Sequence, residues 1–125
     1  MNTPAQTTTN GTASTAVSAA ACVACLLTIT NNHASQARCY VVIDAAAAPA
    51  LPTAPNVMPA GTVWTSGVVA AQATVRLSPL NATQGVPFTK GLVVMSFALD
   101  SSNTPISTAL SAADANVLAW TAPLA

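Results

Sequence analysis

The most hydrophobic run of this sequence, Leu92-Val93-Val94-Met95-Ser96-Phe97-Ala98-Leu99, is closed by Gly91 on one side and Asp100 on the other. Its length settles its conformation. A buried helix needs at least about 10 residues, whereas a buried strand needs only about 4 to 8, and an uninterrupted apolar strand is one covered on both faces. The run therefore predicts a central strand, and the rest of the chain must supply its neighbours. The remaining apolar segments fit that role. Val23, Cys25, Leu27 and Ile29 share one alternating face between Ala21 and Thr30. After the turn-rich Asn31-Asn32-His33-Ala34-Ser35-Gln36, the alternation resumes with Cys39, Val41 and Ile43 on one side and Arg38, Tyr40, Val42 and Asp44 on the other. The two segments read as an antiparallel hairpin. Thr62 to Val69 and Ala73 to Leu77, with Val75 and Leu77 inward, predict two further strands, and Asn116 to Thr121 a last one. Ser111-Ala112-Ala113-Asp114 has capping-box spacing, but turn signals recurring through the chain favour the strand.

Between these strands lie segments that cannot be strand or helix. Residues 45–59 carry Pro49, Pro52, Pro55 and Pro59. Proline at that density removes backbone donors and fixes φ, so a long ordered loop across a sheet end is expected despite the four consecutive alanines. Asp100-Ser101-Ser102-Asn103-Thr104-Pro105 reads as a turn built on Asx geometry. Residues 1–20 open with a polar, uncharged, Thr-rich stretch that cannot form a core. The chain thus divides into an extended N-terminal arm, residues 1–20, and one domain, residues 21–125. Its fold class is all-β: an antiparallel β-sandwich or jelly-roll-like barrel.

Charge limits what such a domain can do. The chain has three Lys or Arg and three Asp, no Glu, and a net charge of zero. Charged residues make up 5% of it, where about a quarter is usual. Binding to nucleic acid releases counterions through several clustered cations, which Arg38, Arg76 and Lys90 cannot provide, so neither nucleic acid nor an anionic membrane surface is an expected partner. The apolar stretch from Ala16 to Ile29 is too short and too interrupted to span a bilayer. No Lys or Arg precedes Arg38, so an ordinary secretory signal is not expected, and three cysteines fit reduced, intracellular synthesis. An uncharged surface on a core of small side chains is poorly protected as a monomer. Association with identical or partner subunits is the physical expectation.

Candidate chemistry is sparse. Cys22 and Cys25, with His33 and Cys39 downstream, are ligand types for a zinc site, but residues three apart on a strand point to opposite faces unless a bulge intervenes. No cofactor, metal or catalytic site is expected. No Gly-x-Ser-x-Gly elbow accompanies His33, and Asp44 and Asp100 sit where strands end, as turn formers do. Arg38 and Arg76 are expected on exposed or interfacial faces. Trp64 and Trp120 are expected in the core or as interface anchors, and with Tyr40 they are the residues through which a glycan would be recognised.

Three stretches carry a family resemblance: Ala37 to Ala45, Val57-Met58-Pro59-Ala60-Gly61-Thr62, and Val86 to Asp100. In this order they resemble a Tyr-x-x-x-Phe/Ile-Asp-Ala strand, a Val-Pro-Ala-Gly turn and a Phe-x-x-Gly-Ile/Leu-x-Val-x-x-Ser strand. Those signatures are shared by small virion structural proteins of tailed bacteriophages. The similarity extends over about residues 27 to 121, and this chain departs from the pattern in its Cys-x-x-Cys, its lack of Glu and its long Thr/Ala arm. The resemblance implies a non-enzymatic capsid decoration, or cement, protein on the virion surface. Joined to the association expected from the uncharged surface and small side chains, this gives the leading expectation: a protein made in the bacterial cytoplasm that docks as a homotrimer on the major capsid protein and stabilises the head. A tail, neck or fibre component, and a host-glycan-binding module, are the alternatives.

Overall fold

A computed structural model of the chain describes residues 5–10, 14–54, 57–77, 85–110 and 115–124. Ten strands run through them: β1 (Ala5–Asn10), β2 (Ser14–Ser18), β3 (Cys22–Asn31), β4 (Arg38–Asp44), β5 (Thr62–Val69), β6 (Thr74–Leu77), β7 (Val86–Phe88), β8 (Leu92–Leu99), β9 (Pro105–Leu110) and β10 (Ala115–Pro123). They form two antiparallel sheets, and no helix occurs among the described residues. In the first sheet the order is β1-β10-β3-β6, with β7 also on β3; in the second it is β2-β8-β4-β5, with β9 also on β8. Both follow one plan: two long strands at the centre, one flanked by a full edge strand and the other by two short strands placed end to end.

The apolar run behaves as its length requires. Leu92 to Phe97 are all buried, and β8 lies between β4 and the short strands β2 and β9. Each fully buried large aliphatic or aromatic side chain contributes roughly 1.5–3 kcal/mol, so this strand, together with β4, is a main source of stability. Its inner residues Leu92 and Val94 join Tyr40 and Val42 of β4 and Leu27, Ile29 and Val117 of the first sheet in the inter-sheet core. The outer residues Val93, Met95 and Phe97 form a second cluster with Val41 and Ile43.

That second cluster corrects the expectation for the proline-rich segment. Ala45, Leu51 and Met58 pack against it, so the loop covers the outer face of the second sheet rather than crossing its end. The cause is the two-sided hydrophobicity of β4 and β8, whose outer rows would otherwise face water. The expected hairpin of residues 21–30 with 37–44 is also overturned, because β3 and β4 belong to different sheets. The intervening turn crosses the sandwich and is tied to it by Asn31, which is fully buried. Its Nδ2 donates to the carbonyls of Gln36 (2.9 Å), Val69 (3.1 Å) and Ala70 (3.3 Å), and its Oδ1 accepts from the His33 N–H (3.0 Å).

Register shifts on β3 and β5 reset strand faces. Opposite Trp120 and Thr121, β3 carries one extra residue, Cys25, between Ala24 and Leu26. A bulge shifts the alternation by one, so Cys22 and Ala24 point inward before it and Leu27, Ile29 and Asn31 after it. The expected single face of Val23, Cys25, Leu27 and Ile29 is therefore broken, and Cys25 is exposed. On β5 the register against β4 slips near Gly67, whose φ of +68° suits glycine, and the Ser66 hydroxyl takes over the Tyr40 N–H at 2.9 Å. Bulges of this kind make an edge strand a poor template for further pairing.

The segment expected as an arm is extended where it is described. Within the chain its partners are β10, paired with β1 from Ala5–Thr121 to Asn10–Asn116, and β8, paired with β2. Ser111 to Asp114, where a helix start competed with the last strand, lie outside the described residues; the strand itself is β10. Strand β9 had no counterpart in the sequence reading.

Candidate functional site

The four residues with metal-ligand chemistry are not gathered. Cys22 is buried in the inter-sheet core, Cys25 is exposed at the bulge, and Cys39 is buried on β4, 3.5 Å from the Thr65 hydroxyl. His33 sits in the β3–β4 turn, where its Nδ1 accepts the N–H groups of Ser35 (3.1 Å) and Gln36 (2.9 Å). Among the described residues no three His, Cys, Asp or Glu side chains come together. Burial pushes the Cys22 thiol above its ordinary range, against a weaker opposing hydrogen bond from Ser18. The sulfur is thus held as a thiol, the unreactive form.

The two described carboxylates are engaged by backbone. Asp44, at the end of β4, accepts four hydrogen bonds from the turn before β8. Its Oδ1 takes the N–H of Lys90 (2.8 Å) and Gly91 (3.3 Å), and its Oδ2 takes the N–H (3.1 Å) and hydroxyl (3.0 Å) of Thr89. Partial desolvation raises its pKa, but these bonds together outweigh it and hold the carboxyl below the usual carboxylate range. Asp100 forms the expected Asx turn, its Oδ1 accepting the N–H of Ser102 (2.8 Å) and Thr104 (2.9 Å). These positions make both groups parts of turns, far better placed to hold the chain than to move a proton.

The arginines divide. Arg38, expected on an exposed or interfacial face, is only 6% exposed, a correction explained by the Gln36 side-chain oxygen (3.0 Å) and Ala37 carbonyl (3.2 Å) that receive its Nη1. Arg76 is exposed on β6. The tryptophans divide as well: Trp64 packs partly buried against the inter-sheet core, while Trp120 is 39% exposed on β10. Tyr40 is fully buried and offers no platform to a glycan.

Two concavities are open at the ends of the sandwich. One, of about 300 Å³, lies among Gln36, Arg38, Leu99, Asp100 and Asn103. The other, of about 420 Å³, lies among Ser18, Ala21, Cys22, Thr121 and Pro123. Neither includes Trp120.

Trp120 belongs instead to the outer face of the first sheet. On β10, Val117 and Ala119 point into the core, so Leu118 and Trp120 point away from it. In register, Trp120 lies opposite Leu26, Leu118 opposite Thr28, and Thr28 opposite Arg76. The next row is closed by a 2.7 Å hydrogen bond between the Thr30 and Thr74 hydroxyls. Sequence reasoning missed this face because the bulge at Cys25 hides the true alternation; the adjacent pair Leu26-Leu27 is its only trace. No protein-family model, curated protein or solved structure matches this chain.

Proposed function

We propose that the chain is a non-enzymatic structural protein of a tailed-phage virion, a decoration protein that binds the major capsid protein as a homotrimer and stabilises the head from its surface. The observation that carries this reading is how the few charges are used. The chain has only three Lys or Arg and three Asp, Asp44 and Asp100 are tied into turns by backbone N–H groups, and Arg38 is buried, so the sandwich, rich in small residues, carries few and balanced surface charges. An exterior of this kind is suited to packing beside many identical subunits and poorly suited to catalysis or to binding polyanions. The likeness of residues 37–45, 57–62 and 86–100 to phage virion proteins supports the same reading.

Stabilisation would come from many weak contacts multiplied by multivalency. Strands β1 and β2 can contribute, since the edges they occupy on β10 and β8 are identical in every copy and accept a neighbour's arm as readily as the chain's own. Glycan recognition is favoured by one observation, the exposed indole of Trp120. Counting copies per virion by quantitative mass spectrometry tests the proposal. A head protein is present at on the order of hundreds of copies, as multivalent coverage requires. A handful points to a tail or neck position, and absence from purified virions overturns the reading.

A further inference from the structure

We infer that the arm strands β1 and β2 are exchanged between copies of this chain: the arm of one copy pairs with β10 and β8 of the next, and the subunits are held together by strands passed around a closed ring. The number of subunits in the ring rests on the homotrimer proposed above. The exchange itself rests on the arm and its hinge, wherever in the virion the protein resides.

The structure shows what fills the two edges. β1 is the edge strand of the first sheet, on β10 from Asn116 to Thr121, and β2 lies on β8 from Leu92 to Met95. Without them the most apolar strand of the chain and its counterpart β10 would present open ladders, which invite pairing with other chains. Some arm must therefore occupy these edges, and every copy offers the same ones. Of the β2 side chains, Val17 packs partly buried against the inter-sheet core while Ala16 is exposed. What holds β2 is chiefly its backbone ladder, and a second copy's arm reproduces that ladder bond for bond.

The hinge decides between the two sources. The links before β5, β6, β7 and β9 each carry a residue at positive φ: Gly61, Gln72, Gly85 and Asn103. The link from β2 to β3 is Ala19-Ala20-Ala21, without a turn-forming residue, yet it must pass from one sheet to the other. Packed sheets lie about 10 Å apart, and the four steps from Ser18 to Cys22 reach at most about 14 Å, so the closed form has little slack. Its bend is held by the Ser18 hydroxyl, which donates to the Ala20 carbonyl (2.9 Å) and accepts the Ala20 N–H (3.3 Å). Beside it lies the open concavity of about 420 Å³ among Ser18, Ala21, Cys22, Thr121 and Pro123, so straightening the hinge displaces no packed core. Short hinges of this kind favour swapping, and head-to-tail exchange that closes on itself gives a finite ring.

The test locks the arm to whichever β10 it occupies. Two cysteine pairs are made separately in the full chain with Cys25→Ser: Thr8→Cys with Leu118→Cys, and Thr7→Cys with Ala119→Cys, which are neighbouring register pairs of β1 and β10. Opposed residues alternate between wider and closer spacing, so one of the two pairs has the closer approach that favours a disulfide. After oxidation, non-reducing electrophoresis should show a covalent trimer that reverts to monomer on reduction. A covalent dimer supports the exchange and overturns the trimer. A disulfide closed within one chain overturns the exchange, and a trimer by sedimentation in the same sample leaves the proposed function standing. Monomer with all introduced thiols free in both variants places the arm on no β10 and overturns the exchange as well. Where the cysteine variants fail to fold, the hinge decides: Ala19→Asn with Ala20→Gly gives the bend turn-forming residues and should raise the dissociation constant of the oligomer at least ~10-fold in sedimentation. An oligomer indifferent to that change overturns the exchange. So does wild-type protein that stays monomeric up to about 1 mM, the order of the effective concentration at which a tethered arm competes. None of these results bears on presence in the head, which copy counting decides separately.

Discussion

Replacing Asn31 should damage the fold out of proportion to its size. Its side chain fastens the β3–β4 crossing to the start of the β5–β6 turn, and three of its hydrogen bonds, to Gln36 O, Val69 O and from His33 N–H, are 3.1 Å or shorter. Asn31→Ala deletes both donors and the acceptor in a site with no exposure. At roughly 1 kcal/mol net for each bond, the loss is about 3 kcal/mol. Unfolding entropy near 60 °C is about 2.1 cal/mol/K per residue, or about 0.26 kcal/mol/K for a chain this long, so the melting temperature should fall by about 11 °C. Differential scanning calorimetry reads this directly. Asn31→Asp supplies a second, pH-resolved arm, because it sets a carboxylate oxygen against carbonyl oxygens in a buried site. The new carboxyl should have a raised pKa when folded, so folding favours its protonated form. Its cost should be smallest below the ordinary Asp value of about 3.9 and should grow as pH rises through the raised folded value. A fall of less than ~3 °C for Asn31→Ala, or an Asn31→Asp variant indifferent to pH between about 3 and 7, would refute the view that this side chain holds the crossing.

Other consequences can be measured on the same material. Asp44→Asn keeps one acceptor oxygen and turns an amide toward N–H donors; urea denaturation at pH 7 should show a loss of about 1–2 kcal/mol after allowance for partial exposure. Because the folded carboxyl titrates below the usual value, wild type holds this advantage above about pH 3.9 and loses it as pH falls through the lowered folded value; a gap that does not narrow as pH falls below about 3.9 contradicts this role for Asp44. Phe97→Ala, fully buried beneath the proline-rich loop, should cost about 3–5 kcal/mol by the same measurement, whereas a loop lying loosely on the sheet would cost far less. Gly91→Ala should destabilise markedly, since a Cβ there would lie 2.6 Å from the carbonyl oxygens of both Ser18 and Ala45; unchanged stability would mean that this close approach is not maintained. Thiol labelling of native protein should modify Cys25 quickly and Cys22 and Cys39 only on unfolding; equal rates would place the bulge elsewhere.

What was legible in the sequence was whatever depends on local period and punctuation. Leu92 to Leu99 announced a central strand through length alone, Val75 and Leu77 pointed inward as their alternation required, and Asp100 built the turn its neighbours implied. Features set by non-local partners were not legible. Whether β3 and β4 form a hairpin or cross between sheets depends on carbonyls at Val69 and Ala70, almost forty residues from Asn31. The loop of residues 45–59 was recognised from its prolines, but its resting place depends on an apolar outer row that only the pairing of β4 with β8 assembles. The bulge at Cys25 is likewise a property of the β3–β10 register, and with it went any view of the Trp120 face. Strand β9 escaped because its short sequence has little apolar alternation and depends on β8 for pairing.

The central claim concerns where a nearly uncharged sandwich resides. A cryo-EM reconstruction of the virion tests it. The account predicts density for this two-sheet domain as trimers repeated over the head lattice. A head lattice without this domain, in virions that contain the chain, would contradict it.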